Sequence, residues 1–193
     1  GFMKAFGIED FNFDTIEKFL AVEYYSIFWP IAMIIFATGL AGGAIAKEIE
    51  TGTIEHVLAK PIARWKLFFS KYIGGAIVLF LFTFVSVFSV VPAALLFGVD
   101  VLYVNELLVF ILSFIFGLSV YGIAMMFSCL FSEKGKVSLS LGVIMIAMYL
   151  MNIAAALLEQ VAWLKHFSLF HYFDYDAALG GGTIDPWGLL VFF

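Results

Sequence analysis

Four long stretches of this sequence contain no charged residue. They lie between Glu23 and Lys47, between Lys71 and Asp100, between Glu106 and Glu133, and between Lys136 and Glu159. Each stretch is longer than the roughly 20 residues that a helix needs to cross the hydrocarbon core of a bilayer. Because only helices and closed barrels satisfy their backbone there, continuous apolar stretches of this length are helices. The sequence therefore predicts an all-α, polytopic membrane protein with complete spans at 24–46, 72–99, 107–132 and 137–158.

The composition agrees with this prediction, since 64% of the residues are hydrophobic and 13% are charged. A soluble domain is nearer a quarter charged. A further apolar run at 187–193 is too short to cross and is interpreted as the start of a last, truncated span. The chain begins at Gly1 without an initiator Met or the pattern of a cleavable signal. We therefore expect residues 1–193 to be a single transmembrane domain from a parent with six spans and both ends in the cytoplasm.

Basic residues predict which loops face the cytoplasm. The loops 47–71 and 133–136 are basic, whereas the loop between the second and third spans has no Lys or Arg and segment 159–186 has only Lys165. The two basic loops are therefore expected in the cytoplasm, and the segments 1–23 and 159–186 outside. This strict alternation fits a multi-pass protein of the plasma membrane.

The two outer segments have different patterns. Residues 1–23 carry apolar side chains interleaved with acids, which predicts an amphipathic helix on the outer surface. Residues 159–186 are strongly apolar but too irregular to span, which predicts a re-entrant segment that dips into the outer leaflet. His166 and His171 lie five residues apart and near two acids, a spacing that does not match a metal site. No metal ion is expected.

The first basic loop contains a short amphipathic element. Thr51, Gly52 and Thr53 break the preceding helix and provide hydroxyl groups that can cap a new one. Beyond them an apolar stripe at helical spacing lies opposite charged residues, and Pro61 ends the element after about two turns. On periodicity alone, an interfacial helix that anchors the loop is the more common explanation. The alternative is a helix that docks into a partner.

The residue pattern of this loop favours the docking alternative. The phrase Glu50-x-Gly52-Thr53-Ile54-Glu55-x-x-Leu58-x-x-Pro61-Ile62-x-Arg64, followed by Lys71, resembles the first cytoplasmic loop of the ABC-2 family of ABC transporter permeases. In that family the loop forms a coupling helix that docks into a groove of the nucleotide-binding subunit. The resemblance covers nearly the whole chain in the order of spans, and the residue identities match from about Glu48 to Lys71. It also implies that segment 159–186 forms an extracellular gate.

The resemblance implies roles for individual residues of the loop. The apolar anchors buried in the partner would be Ile54, Val57 and Leu58. The polar contacts would be Glu48, Glu50, Glu55 and Arg64, with Gly52, Thr53 and Pro61 shaping the element.

The predicted spans contain no ionisable side chain, which argues against a proton- or sodium-driven carrier. Their polar residues are few, and hydrogen bonding between helices is the common role of such residues. Asn152, Ser86 and Ser119 are candidates for lining a path or for packing. Gly39 and Gly43 form a Gly-x-x-x-Gly pair that allows close helix approach, either within the subunit or between two copies.

The function predicted from these features is the permease subunit of an ABC exporter. The chain has no phosphate-binding phrase G-x-x-x-x-G-K-[ST], so ATP and Mg²⁺ are expected on a separate ATPase subunit and this chain is expected to bind no cofactor. It is not predicted to be an enzyme, because the spans carry no catalytic pair. The expected partners are the ATPase subunit, a second permease subunit (identical or related) and the bilayer, without nucleic acid. The alternative is a membrane scaffold that transmits ATP-driven force to an external partner without moving a solute.

Overall fold

The computed structural model describes residues 24, 25, 27–59, 62–92 and 103–173, and within these the chain is helical without a strand. The predicted outer helix 1–23, the loop residues 93–102 and the start of a last span at 187–193 lie outside the described residues. The helices are α1 (Trp29–Ala44), α2 (Ala46–Glu50), α3 (Ile54–Leu58), α4 (Arg64–Phe88), α5 (Tyr103–Leu130), α6 (Lys134–Leu157), a 3-10 helix (Glu159–Phe167) and α7 (Leu169–Tyr172).

Three of the described helices are long and apolar enough to cross a membrane. They are the segments Arg64–Pro92, Val104–Leu130 and Lys134–Leu157. These correspond to the second, third and fourth predicted spans, but α4 begins before the predicted start at residue 72. The difference has a simple cause: charge marks the edge of the apolar stretch, whereas a helix continues into the charged region as long as its backbone is hydrogen bonded. The first two turns of α4 therefore carry basic residues of the predicted loop.

The first predicted span is represented by a shorter helix. α1 has 16 residues, which corresponds to about 24 Å at 1.5 Å per residue, against a hydrocarbon core of about 30 Å. Residues 24, 25, 27 and 28 precede it with π-helical geometry. Pro30 lies in its first turn, where a missing N–H costs no hydrogen bond. The helix ends at Ile45, whose backbone angles (φ −127°, ψ −55°) interrupt the helical path.

The centre of the bundle is α5. Half of its apolar span is buried within the chain, compared with 17% for α4 and for α6. α1 packs along α5 through side chains one turn apart, and α4 and α6 pack on either side. The residues that α1 and α5 bury in this core include Trp29, Met33, Ala37, Ala41, Val109, Phe116, Val120 and Ala124. Consequently α4 and α6 present broad apolar faces away from the core.

The segment after α6 folds back onto the bundle. The 3-10 helix is kinked at Val161, and α7 follows after Ser168, whose hydroxyl accepts a hydrogen bond from the amide of Phe170. Phe173 is buried, and its ring lies 5.5 Å from that of Trp29 and 4.8 Å from that of Phe116. The described part of the predicted re-entrant segment is therefore packed against α1 and α5.

Close helix approach occurs at glycines other than the predicted pair. A Cβ atom added at Gly39 or Gly43 would meet no described atom within 4 Å, so these residues do not pack tightly against the described part of the chain. Packing against a second copy stays a prediction for them. By contrast, a Cβ at Gly75 would lie 2.1 Å from the hydroxyl oxygen of Tyr121, and one at Gly117 would lie 2.8 Å from Met33.

Gly75 and Gly74 provide a matched test of this packing. Gly75→Ala is expected to destabilise the protein by about 1–3 kcal/mol, because the added methyl group displaces the ring of Tyr121. It also breaks the 3.3 Å hydrogen bond from the Tyr121 hydroxyl to the carbonyl of Lys71. Gly74→Ala meets nothing within 4 Å and is expected to be neutral or stabilising by up to about 1 kcal/mol, since alanine favours helix. Thermal unfolding in detergent measures both, and equal effects would contradict the packing.

Candidate functional site

The predicted coupling loop forms two short helices joined by a tight turn. α2 ends at Thr51, whose hydroxyl donates to the carbonyl of Lys47 at 2.8 Å and lies 3.0 Å from the hydroxyl of Thr53. Gly52 follows with φ +71°, a left-handed conformation that favours glycine. α3 then begins at Ile54. The break predicted at residues 51–53 and the separate short helix after it are confirmed.

The helix α2 is linked to α4 by an ion pair. Lys71 Nζ lies 2.5 Å from Glu48 Oε1, and the two side chains are 19% and 27% exposed. The same ammonium group donates to the carbonyl of Ala44, the last residue of α1, at 2.7 Å. A cation at this position is favourable, because the C-terminus of a helix carries unpaired carbonyl groups and partial negative charge.

The link between α2 and α5 is the hydroxyl of Ser128. This side chain is fully buried. Its oxygen accepts a hydrogen bond from the amide of Ala46, the first residue of α2, at 3.0 Å. The hydroxyl in turn donates to the carbonyl of Ala41 in α1 at 2.6 Å. Ser128 therefore bridges the two sides of the interruption at Ile45.

The link between α2 and α6 is the carboxylate of Glu50. Its Oε2 accepts a hydrogen bond from the amide of Lys134, the first residue of α6, at 3.0 Å. Glu133 is the N-cap residue of α6, but its side chain does not hydrogen bond to the free amides of that helix. A carboxylate at a helix N-terminus is favoured by both the free amides and the helix dipole. Nearby, Gly42 of α1 lies against the aliphatic part of Lys134, where a Cβ atom would approach to 2.9 Å.

We name this arrangement the α2 junction: α2 together with Lys71, Ser128 and the Lys134 amide. The junction ties α2 to three helices that are long enough to cross a membrane. Glu48 and Glu50, predicted as contacts to an ATPase, are both engaged with this chain's own helices. Their docking role stays a prediction.

The remaining predicted docking residues lie on the far side of Gly52. Thr53, Glu55 and Arg64 are exposed, and Ile54 is half-buried. The side chains of Val57 and Leu58, and Pro61 altogether, lie outside the described part of the structure. The predicted site therefore has two parts: Glu48 and Glu50 on α2, which contact other helices of this chain, and the residues beyond Gly52.

The predicted path residues make contacts typical of packing. Ser86 Oγ accepts from the indole nitrogen of Trp29 at 3.1 Å, joining α4 to α1. Ser119 donates to the carbonyl of Ile115 in its own helix at 3.0 Å. Asn152 is half-buried on α6.

A buried acid borders the third predicted span. Glu106 lies in the first turn of α5, inside the segment Val104–Leu130 that is long enough to cross a membrane, and it is 1% exposed. The uncharged stretch of the sequence ends at this residue, but the helix continues beyond it and turns the side chain into the core, near Tyr25. The expectation of spans without ionisable side chains stays a prediction, and Glu106 is a buried carboxyl group at the border of one of them.

An apolar groove of about 320 Å³ runs between α1 and α6. Phe170 of α7 contributes to its lining. Its lining is Ile27, Pro30, Ile31, Ile34, Ile35, Gly142, Met145, Ile146, Tyr149 and Phe170. Among the residues that the structure describes, no group of three or more His, Cys, Asp and Glu side chains could hold a metal ion. Asp174 and Asp176 lie outside that part.

Comparison with known families accounts for this combination of apolar helices and a short helical loop. The family model described as "ABC-2 family transporter protein" matches residues 3–177. The chain belongs to the ABC-2 transporter family. The matched range includes every helix of the fold and the whole α2 junction, and it agrees with the resemblance based on the loop residues. No curated protein and no solved structure shows a significant match to the chain.

The ion pair of the ABC-2 chain's α2 junction can be compared with an exposed pair in the same protein. Lys136 and Glu133 also lie 2.5 Å apart, but their side chains are 59% and 53% exposed. Lys71→Met is expected to destabilise by about 1–3 kcal/mol, between the effects of exposed and fully buried pairs. Lys136→Met is expected to stay within about 0.5 kcal/mol of the unsubstituted protein. Chemical unfolding in micelles measures both, and a Lys71→Met effect no larger than that of Lys136→Met contradicts a structural role for the pair.

Proposed function

We propose that this chain is the permease subunit of an ABC exporter of the plasma membrane, driven by ATP hydrolysis on a separate nucleotide-binding subunit. The observation that carries the proposal is the α2 junction, in which one short helix is bonded to α4, α5 and α6. A partner that moves α3 also moves α2, and α2 cannot move without changing its contacts with three long apolar helices. Membership of the ABC-2 transporter family supports the same function.

In this proposal the two halves of the loop have different tasks. α3 docks into the ATPase through Ile54, Val57 and Leu58, with Glu55 and Arg64 as polar contacts. Burial of a few apolar side chains in a groove is a common way for a short helix to bind. α2 receives the displacement, and Glu48 and Glu50 hold it against the bundle.

ATP and Mg²⁺ bind to the partner subunit, and hydrolysis there supplies the energy for the conformational change. The residues of this chain pass on the movement. Closure of two ATPase subunits around ATP pulls the docked helices together, and alternating access of the spans follows. This loop and the one at 133–136 accordingly face the cytoplasm.

A second permease subunit, identical or related, completes the assembly in this proposal. The apolar faces of α4 and α6 that point away from the core, and the Gly39 and Gly43 face of α1, are the surfaces that such a subunit or lipid would cover. The apolar groove between α1 and α6 is consistent with a hydrophobic or amphiphilic cargo. A scaffold that transmits force without moving a solute would use the same junction and is the alternative.

The docking is tested by introducing the same charge on two faces of α3. Leu58→Asp places a carboxylate within the proposed apolar anchor, and His56→Asp places one on the opposite, exposed face. The full-length protein is purified from its native membranes, and the co-purifying ATPase is identified by its phosphate-binding sequence and by ATP hydrolysis. Leu58→Asp is expected to reduce the bound ATPase at least about tenfold, the effect of losing one central anchor. His56→Asp is expected to retain it.

Two results contradict the proposal. One is that no ATPase co-purifies with the unsubstituted protein. The other is that Leu58→Asp and His56→Asp retain the same amount of ATPase while both variants stay folded.

A further inference from the structure

The interruption between α1 and α2 is not explained by the residue at which it occurs. Ile45 is neither proline nor glycine, and isoleucine is an ordinary residue in helices. No proline lies near it in the sequence. Sharp bends in helices without proline arise at small residues, at π-bulges, or where a side chain inserts into the backbone hydrogen-bond ladder. Two of these are found here: Gly42 and Gly43 lie in the turn before Ile45, and a side chain inserts at the bend.

The inserted group is the hydroxyl of Ser128. In an uninterrupted helix the amide of Ala46 would donate to the carbonyl of Gly42, and the carbonyl of Ala41 would accept from the amide of Ile45. Instead the Ser128 oxygen stands between the two segments, 3.0 Å from the Ala46 nitrogen and 2.6 Å from the Ala41 oxygen. A side chain of α5 thus takes the place of a turn of backbone hydrogen bonding.

Lys71 makes the corresponding contact from α4. Its ammonium group binds the carbonyl of Ala44, which in a continuous helix would accept from the amide of Glu48. The same ammonium group binds the carboxylate of Glu48. The ends of both segments at the bend therefore depend on side chains that belong to other helices.

The hydrogen bonding of the α2 junction is incomplete at one buried oxygen. Glu48 Oε2 is buried, and no described protein group hydrogen bonds to it. Burying a carboxylate oxygen without a partner is unfavourable. A movement of α2 away from the bundle would hydrate this oxygen, while straightening of the bend would restore backbone hydrogen bonds. Both effects offset the loss of the Ser128 and Lys71 contacts.

We propose that Ser128 and Lys71 are positioning residues for energy coupling: they hold a two-state hinge at Ile45 in its bent state, and release of these contacts lets α1 and α2 form one continuous helix. This proposal deepens the proposed function and rests on it for its role in transport. The bent state keeps α2 seated against α4, α5 and α6. The straight state carries α2 and α3 away from them as an extension of α1.

The hinge is tested on the permease alone by a distance measurement. In a Cys129→Ala background, spin labels are attached to cysteines that replace two exposed residues, Thr53 after α2 and Lys136 at the start of α6. Ser128→Ala removes the inserted hydroxyl. It is expected to shift the ratio of bent to straight molecules by about three- to tenfold, the effect of losing hydrogen bonds of this kind. A second distance population, absent from the unsubstituted protein, is the expected observation.

Ser113→Ala is the matched control. Ser113 lies on the same helix as Ser128 and is also fully buried, and its oxygen has no hydrogen-bond partner among the described residues. This variant makes the same chemical change without touching the bend, so its distance distribution is expected to match that of the unsubstituted protein. Ser128→Thr keeps a hydroxyl and is expected to restore the single population.

The proposal is overturned if Ser128→Ala and Ser113→Ala give the same distribution. If Ser128→Ala does not fold, Lys71→Met is measured instead. In that variant the labels are placed at Thr53 and Glu133, and Lys136 is left unchanged. A single distance population, unchanged from that of the protein with Lys71, then overturns the proposal. These distances need no ATPase, so they are independent of whether Leu58→Asp releases one.

A second measurement uses the complex with the ATPase. Ser128→Ala is expected to keep the amount of bound ATPase within about twofold, whereas the rate of ATP hydrolysis no longer depends on the permease. A merely structural role of Ser128 would not produce this combination.

Discussion

A backbone amide or carbonyl without a partner is costly wherever water is scarce, and a bend in a membrane helix creates several such groups at once. The bend at Ile45 is stable because the hydroxyl of Ser128 and the ammonium group of Lys71 take over those groups. The rest of the junction follows from this constraint. Because the two donors come from α5 and α4, the place where α1 ends also fixes where α2 sits, and Glu50 of α2 then reaches the first amide of α6.

The central position of α5 makes this arrangement possible. α5 is the only one of the three long described helices with half of its span buried, and it contacts α1, α4 and α6. At Gly75 it approaches α4 closely enough for the Tyr121 hydroxyl to reach the carbonyl of Lys71. The residue that provides the ammonium group is thus held by its backbone as well as by its side chain. Packing of the apolar core and placement of the charged junction are parts of one arrangement.

Much of the helical architecture could be predicted from the sequence. Uncharged stretches identify α4, α5 and α6, because the hydrophobic thickness of a bilayer sets a minimum length that few other structures share. The turn at Gly52 was predictable from its neighbours, since threonine and glycine give local signals. Helix ends were less predictable: α4 begins at Arg64 and α5 includes Glu106, because charge does not stop a helix whose backbone remains hydrogen bonded.

The contacts of the site were not predictable, because they join residues far apart in the chain. Ser128 is visible as one polar residue in an apolar stretch, but nothing local pairs it with Ala46. The Gly-x-x-x-Gly spacing pointed to Gly39 and Gly43, whereas the close contacts are at Gly42, Gly75 and Gly117. Which face of a helix turns inward depends on its neighbours and not on its own spacing.

The left-handed turn at Gly52 has a mechanical consequence. α2 and α3 are separated by the positive φ angle of Gly52 and by the hydroxyl contact between Thr51 and Thr53. In the proposed mechanism, a force on α3 reaches α2 through this turn. The conformation at Gly52 would then set the direction in which a displacement is delivered to the bundle, whereas the hydrogen bonds and the ion pair of α2 would set how strongly it is resisted.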